Sequence, residues 1–582
     1  MKQQSQFMSR VKKLSLVLIG VLVYHMPIAH AQQGEPLQKK FIASGWDEPD
    51  TARLRANLKE MEQTPFDGVV ISARGTGGGK SIQVRSTFSA EPWKQEWFQN
   101  CVDDLKAVHS TKLTDNFIHV GANPGNVDWF DDAGWKEIIN HWRIAAWIAK
   151  EGNLKGILFD PEPYTKPYKQ FQYILQADSG KHTLEEYQAK ARQRGREVIS
   201  AVAAIDPNFM IYTYFMNSVQ TSALNASNPA MAARTSSYNL YPAFINGWLD
   251  AAPPTMTFVD GCESSYLYNS QEQFLNAANL MRNSALAFVA PENRAKYGAQ
   301  VQTSFGMYMD ANVNPSTNHY YIDPKGETRT KRLQTIAAYA ANAATEYVWF
   351  YGEKYRWWPT PSNNINPESW EDKLPGITEA LLDVTHPNRA TERAVAAALK
   401  SGSAENRLLN ANFAQGPAKT AETKNASPDW ENAGLPANWN SYQDDYSHGV
   451  FSFDPTMSRS DDKSGSVRLA GAANGMAIQT IAVKPGESYL VQAWTRHAGR
   501  GLSVVVARWK TSDFKWINNK EIDVVMYNTE KPAQNQWQKI QGIVTVPEGA
   551  GNLVLLLIVA NQPTKQDVAW YDDVSVSKIN GE

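Results

Sequence analysis

Residues 154 to 164 read Leu154-Lys-Gly-Ile-Leu-Phe-Asp-Pro-Glu-Pro-Tyr164. An apolar run ends here in two carboxylates two positions apart, Asp160 and Glu162, and each is followed by a proline. Side chains at i and i+2 share one face of a strand, and a proline biases the residue before it toward extended backbone. Both acids are therefore expected to point the same way from the end of a buried strand. Crowded like charges push one pKa up, so one acid holds a proton near neutral pH while the other stays ionised. That division suits cleavage of a glycosidic bond. A helix cap or a solvated loop carrying two acids is the competing account of the same residues.

On both sides of this strand, short β-rich runs alternate with amphipathic helical stretches, the pattern of a parallel α/β architecture. Eight strands are expected, over residues 40–45, 68–73, 116–121, 156–159, 210–215, 256–260, 303–309 and 347–351. Helical patterns lie between them at 50–61, 93–109, 134–149, 183–204, 270–287 and 328–344. Eight β-α repeats over residues 35–400 predict a (β/α)8 TIM-like barrel with long loops. An open doubly wound sheet is the alternative, but no phosphate-binding glycine motif supports it. Gly75-Thr-Gly-Gly-Gly79 lacks the P-loop Lys-Ser/Thr spacing and reads as a mobile active-site loop.

Residues 401–408 are small and polar, a linker. Residues 409–582 carry only short alternating runs, at 488–496, 502–509, 538–546 and 552–560, which predict an all-β jelly-roll sandwich.

The chain has 582 residues, 42% hydrophobic and 20% charged, enough for two or three domains. A net charge of -2 removes the electrostatic case for nucleic acid. The 19 Trp and 24 Tyr raise the expectation of carbohydrate, because aromatic faces stack on sugar rings while their polar tips tolerate water. Residues 1–31 read as a secretory signal peptide: basic at Lys2, Arg10, Lys12 and Lys13, apolar from Leu14, and small at Ala29 and Ala31 before the expected cut. The mature protein is expected to be secreted or periplasmic, without a stable membrane span. Cys101 and Cys262 either bridge or lie buried as separate thiols. No His-Glu-x-x-His or Cys/His cluster is present, so no metal or other cofactor is expected in catalysis.

Working residues of such barrels lie at the C-terminal ends of the strands. Those ends carry Trp46 and Asp47, Arg74, Asn123, then Asp160 and Glu162, Tyr214, Glu263, Tyr308 and Asp310, and finally Trp349, Tyr351 and Glu353. Glu162 is the expected general acid/base, with Glu263 opposite it and Glu353 in reserve. Asp160 as nucleophile with Glu263 as acid is equally sound chemically. Trp46, Trp349, Trp357 and Trp358 are expected sugar platforms, the Trp357-Trp358-Pro359 loop forming a subsite wall. Asn123, Tyr214 and Tyr308 are expected to donate hydrogen bonds, and Asp47, Arg74 and Asp310 to line the substrate.

Two resemblances attach to these residues. Asn406-Arg-Leu-Leu-Asn-Ala-Asn-Phe413, the Leu-Pro-Ala-Asn-Trp439 turn, Tyr489-Leu-Val-Gln-Ala-Trp494 and Ala569-Trp-Tyr-Asp-Asp-Val-Ser-Val576 resemble the jelly-roll carbohydrate-binding modules of families 4 and 9. That resemblance implies sugar binding and a structural calcium near Asp572 or Asp573. The strand ends resemble a barrel-type glycoside hydrolase, and Asp160-x-Glu162 is similar to the fourth-strand ending of family 18 chitinase-like enzymes. The longer Asp-x-x-Asp-x-Asp-x-Glu pattern of that family is absent here. The implied activity is hydrolysis of a polysaccharide or complex glycan. A polysaccharide lyase, with His119 or a tyrosine as base and Arg74 as cation, and a non-catalytic exported glycan-binding protein are the alternatives.

Overall fold

The computed structural model describes residues 38–165, 169–358, 367–386, 388–401, 403–417, 434–444, 446–460, 464–519, 522–527 and 534–579. The signal-peptide reading and Pro359 lie outside these residues. Two compact units divide the chain, residues 35–386 and residues 387–582.

In the first unit nine strands form one parallel sheet: β1 (Lys40–Gly45), β2 (Gly68–Ile71), β3 (Phe117–Gly121), β4 (Gly156–Asp160), β5 (Met210–Thr213), β6 (Thr257–Asp260), β7 (Val301–Thr303), β8 (Phe305–Tyr308) and β9 (Tyr347–Gly352). Their order runs β8-β9-β1-β2-β3-β4-β5-β6-β7, so the two edges are consecutive in the chain and the sheet curls nearly into a closed barrel. The expected seventh strand is two short ones, interrupted at Ser304. Its first piece pairs with β6 and its second with β9, while the Ser304 N–H donates to the Asp260 carbonyl at 2.8 Å. The β1 register is continuous with β9, from Lys40 opposite Tyr347 to Gly45 opposite Gly352.

Strands buried on both faces read as unbroken apolar runs, and β2, β3, β4 and β5 are buried at every position. Below the strand ends the interior is filled by Phe117, Tyr212 and Tyr347, ring against ring. The two long helices start where their sequence provides a cap: the Asp131 carboxylate accepts from the Gly134 N–H before Asp132–Glu151, and Thr183 with Glu186 makes a capping box before Leu184–Ala203. Cys101 and Cys262 are separate buried thiols.

The second unit begins with a helix, Asn388–Ser401. Ser403–Asn406, in the stretch read as linker, pairs antiparallel with Val568–Ile579. Two antiparallel sheets follow, one of six and one of five strands. Their facing sides bury Val491, Ala493, Trp509, Leu553, Leu555 and Leu557, alternate residues of their strands, as a two-sheet sandwich requires. Among the described residues no helix is long and apolar enough to cross a membrane.

Candidate active site

The C-terminal ends of the barrel strands enclose a cavity of about 1000 Å³. Asp160, Glu162, Glu263 and Glu353 all line it. The first two follow from β4: the Asp160 carboxylate accepts the Glu162 N–H at 2.9 Å, which fixes the turn between them. Asn123, beyond β3, clamps the same segment from the other side. Its amide donates to the Glu162 carbonyl at 2.9 Å, and its side-chain carbonyl accepts the Tyr164 N–H at 2.8 Å. Tyr164 lines the cavity beside them.

Glu263 reaches the cavity through a tight turn after β6. A Cβ on Gly261 would lie 2.3 Å from the Thr213 carbonyl oxygen, and Cys262 is left-handed at φ 47°. The turn closes when the Glu263 N–H donates to the Tyr214 carbonyl at 3.1 Å. Asp260, just before it, is spent on structure: its carboxylate accepts the Met216 and Ser218 N–H groups at 2.9 and 3.0 Å and holds the loop after β5.

Burial pushes the Glu263 carboxyl up to about 8, and the charges of Glu162 and Asp160 add to it. Burial raises Asp160 to about 6, opposed first by His119. Three carboxyls thus feel one another across one cavity, and two of them hold protons above the ordinary carboxylate range. His119 sits beneath. Its Nδ1 lies 2.9 Å from a Glu48 carboxylate oxygen, and its Nε2, 4.0 Å from Asp160, has no hydrogen-bond partner among the described residues. On the far side Glu353 is positioned by Asp310, which accepts its N–H at 2.8 Å. Asp310 is itself raised to about 6, by burial and then by the Glu353 charge.

Of the residues expected to bind substrate, Trp46, Arg74, Tyr214 and Tyr308 line the cavity. Trp46 is 61% exposed, the most available aromatic face at the mouth. The others stand behind the wall. Asp47 is buried and holds Arg53 at 2.7 Å, and Asn123 and Asp310 hold backbone as described. Trp349 is fully buried under Tyr214, ring centroids 4.4 Å apart, and donates to the Gly261 carbonyl. Trp357 packs edge-on against Phe66, and buried Trp358 lies beneath the Arg53 guanidinium. Sequence reasoning missed Glu48, Asp50, Arg53, Gln83, Arg85, Tyr266 and Tyr320, which also line the cavity. Glu48 is the one with a local signal, two residues beyond Trp46 at the same strand end.

Gly75-Thr-Gly-Gly-Gly79, read as a mobile loop, lies in a hairpin, Arg74–Gly77 against Lys80–Gln83. Gly78 and Gly79 make its turn with φ 58° and 77°, the geometry of the tight turns that favour Gly-Gly. Gly77 lies flat on Trp97: a Cβ there would come within 2.0 Å of the ring.

In the second unit Asp572 accepts the Arg459 N–H at 2.7 Å, and the Arg459 guanidinium pairs with Asp573. Asp572 and Asp573, the acids expected near a calcium ion, thus both meet Arg459, the first through its backbone and the second through its side chain. Among the described residues no three His, Cys, Asp or Glu side chains gather as a metal site.

No family model and no curated protein matches this chain. Solved structures resemble parts of it. One holds the CBM22-1 and GH10 modules of a Clostridium thermocellum endo-1,4-β-D-xylanase with xylohexaose, at 14% identity over 25% of this chain and 27% of that one, TM-score 0.20. An arabinose-bound α-L-arabinofuranosidase matches at 13% over 31% and 27%, TM-score 0.21. A CBM61 module bound to β-1,4-galactotriose matches at 12% over 30% of this chain and 99% of that one, TM-score 0.19. The chain spans about a quarter of the length of the two enzymes. Likenesses at these scores assign no family.

Proposed function

We propose that this protein is an exported glycoside hydrolase that cleaves O-glycosidic bonds of a polysaccharide or complex glycan. The observation that carries this reading is the meeting of Asp160, Glu162 and Glu263 in one cavity at the strand ends, with Glu263 holding its proton to about pH 8. A glycosidase needs one carboxyl that gives a proton to the departing oxygen and a second, ionised one that attacks carbon or activates water. Glu263 is the proton donor and Glu162 the second carboxyl, which attacks carbon or activates water, the reverse of the assignment that position on β4 suggests. Asp160 orients the Glu162 backbone and adds charge behind it. Trp46 and Tyr308 offer ring faces to sugar, and the second unit, as a jelly-roll carbohydrate-binding module, retains the polymer. The test is release of reducing sugar by the full-length protein from a panel of neutral and acidic polysaccharides and complex glycans. Release without the ultraviolet absorbance of an unsaturated product establishes hydrolysis, since a lyase also frees a reducing end, whereas no release from any of them sinks the reading.

A lyase is the second reading, favoured by His119 and Arg74 lining the same cavity. It predicts unsaturated, ultraviolet-absorbing products in place of hydrolytic ones.

A further inference from the structure

We infer that the hairpin wall of the cavity, Arg74 with Gln83 and Arg85, is a subsite for an anionic group on the sugar substrate, either a uronate carboxylate or a sulfate ester. The inference rests on the cavity being a glycan site, as proposed above, but not on the reaction that follows. Arg74 and Gln83 are direct cross-strand partners in the hairpin, and Arg85 lies two residues further along the same chain. All three line the cavity. Their support is stiff, because Gly75 and Gly77 seat the hairpin on Phe98 and Trp97 with no room for a Cβ.

The two arginines differ from the other basic side chains there. Arg53 is neutralised by Asp47 at 2.7 Å, and His119 faces Glu48 at 2.9 Å. Both Arg74 and Arg85 are exposed to the cavity, and among the described residues no ion pair or side-chain hydrogen bond engages either guanidinium. The acids of the same cavity leave both alone. A guanidinium presents a rigid fork of donors that matches carboxylate and sulfate oxygens in pairs, and Gln83 between the two adds an amide donor. A neutral glycan would call for no such pair.

The position around the barrel also fits. The hairpin follows β2, while Glu263 follows β6, on the opposite side of the ring. An anion held by the hairpin therefore sits away from the carboxyl that exchanges a proton, in a neighbouring part of a sugar chain laid across the mouth.

Ligand-observed NMR binding to the full-length protein tests this, with glucuronate, glucose 6-sulfate and glucose as probes. The expected result is that at least one anion binds more tightly than glucose and weakens in about 0.5 M salt. Arg74→Gln/Arg85→Gln should weaken that anion about tenfold or more, and Arg74→Lys/Arg85→Lys should retain part of the affinity. The stronger of the two anions identifies the source, uronate or sulfate. Equal binding of anions and glucose, no binding of either anion, or undiminished anion binding by the double glutamine variant would overturn the inference. Because the readout is binding, it stands apart from whether any glycan is hydrolysed.

Discussion

The proton on Glu263 is the residue-scale feature with the widest consequences. As proton donor it must be protonated, so kcat/KM should fall as pH rises through about 8. Since the Glu162 charge helps raise it, Glu162→Asn should move the basic limb of Glu263 titration to lower pH; site-specific 13C titration of Glu263 reads this even without turnover. Stability follows the same group. Its folded-state pKa of about 8 exceeds the ordinary 4.5, so the bound proton stabilises the fold fully below about 4.5, and that contribution is lost as pH rises through 8. Glu263→Gln, which needs no proton, should therefore gain in melting temperature relative to the natural protein as pH is raised from 5 to about 9. A constant difference across that range would show that Glu263 titrates as an ordinary surface glutamate.

At the scale of elements, the strand ends owe their aim to close backbone contacts. Gly77→Ala forces a methyl into the Trp97 ring and should destabilise by about 1–3 kcal/mol, measured by denaturant unfolding, while Gly78→Ala is opposed only by its positive φ and should cost less. The sequence announces the barrel strands well. The expected 40–45 is the observed β1 residue for residue, and 156–159 falls one short of β4, because parallel strands buried on both faces print as apolar runs. It announces the site unevenly. Asp160 and Glu162 are legible because they end such a run, but Arg85 and Tyr266 lie beyond turns whose path no periodicity reveals. Trp349 and Trp358 show the converse: an aromatic at a strand end looks alike from sequence whether it faces sugar or, as here, fills the space behind the cavity wall. The glycines of 75–79 read as a loop because composition does not record that Gly75 and Gly77 lie against Phe98 and Trp97 while Gly78 and Gly79 make a hairpin turn.

For the whole molecule, every residue lining the cavity belongs to residues 35–386. A chain ending at His386 should therefore keep its rate on short soluble oligosaccharides and lose rate on insoluble polymer, which comparison of the two substrates with the full-length protein checks. Equal loss on both would mean that the second unit serves the fold of the first and not the retention of substrate. Within the cavity, Glu263 gives the proton and Glu162 acts as the second carboxyl. The most direct measurement compares Glu263→Gln and Glu162→Gln on a natural glycan and on the matching dinitrophenyl glycoside, whose leaving group departs without a proton. Glu263→Gln should lose about 10²–10⁴-fold on the glycan and recover most of that on the dinitrophenyl substrate, while Glu162→Gln stays slow on both. Recovery by Glu162→Gln instead, or natural rates in both variants, would contradict the account.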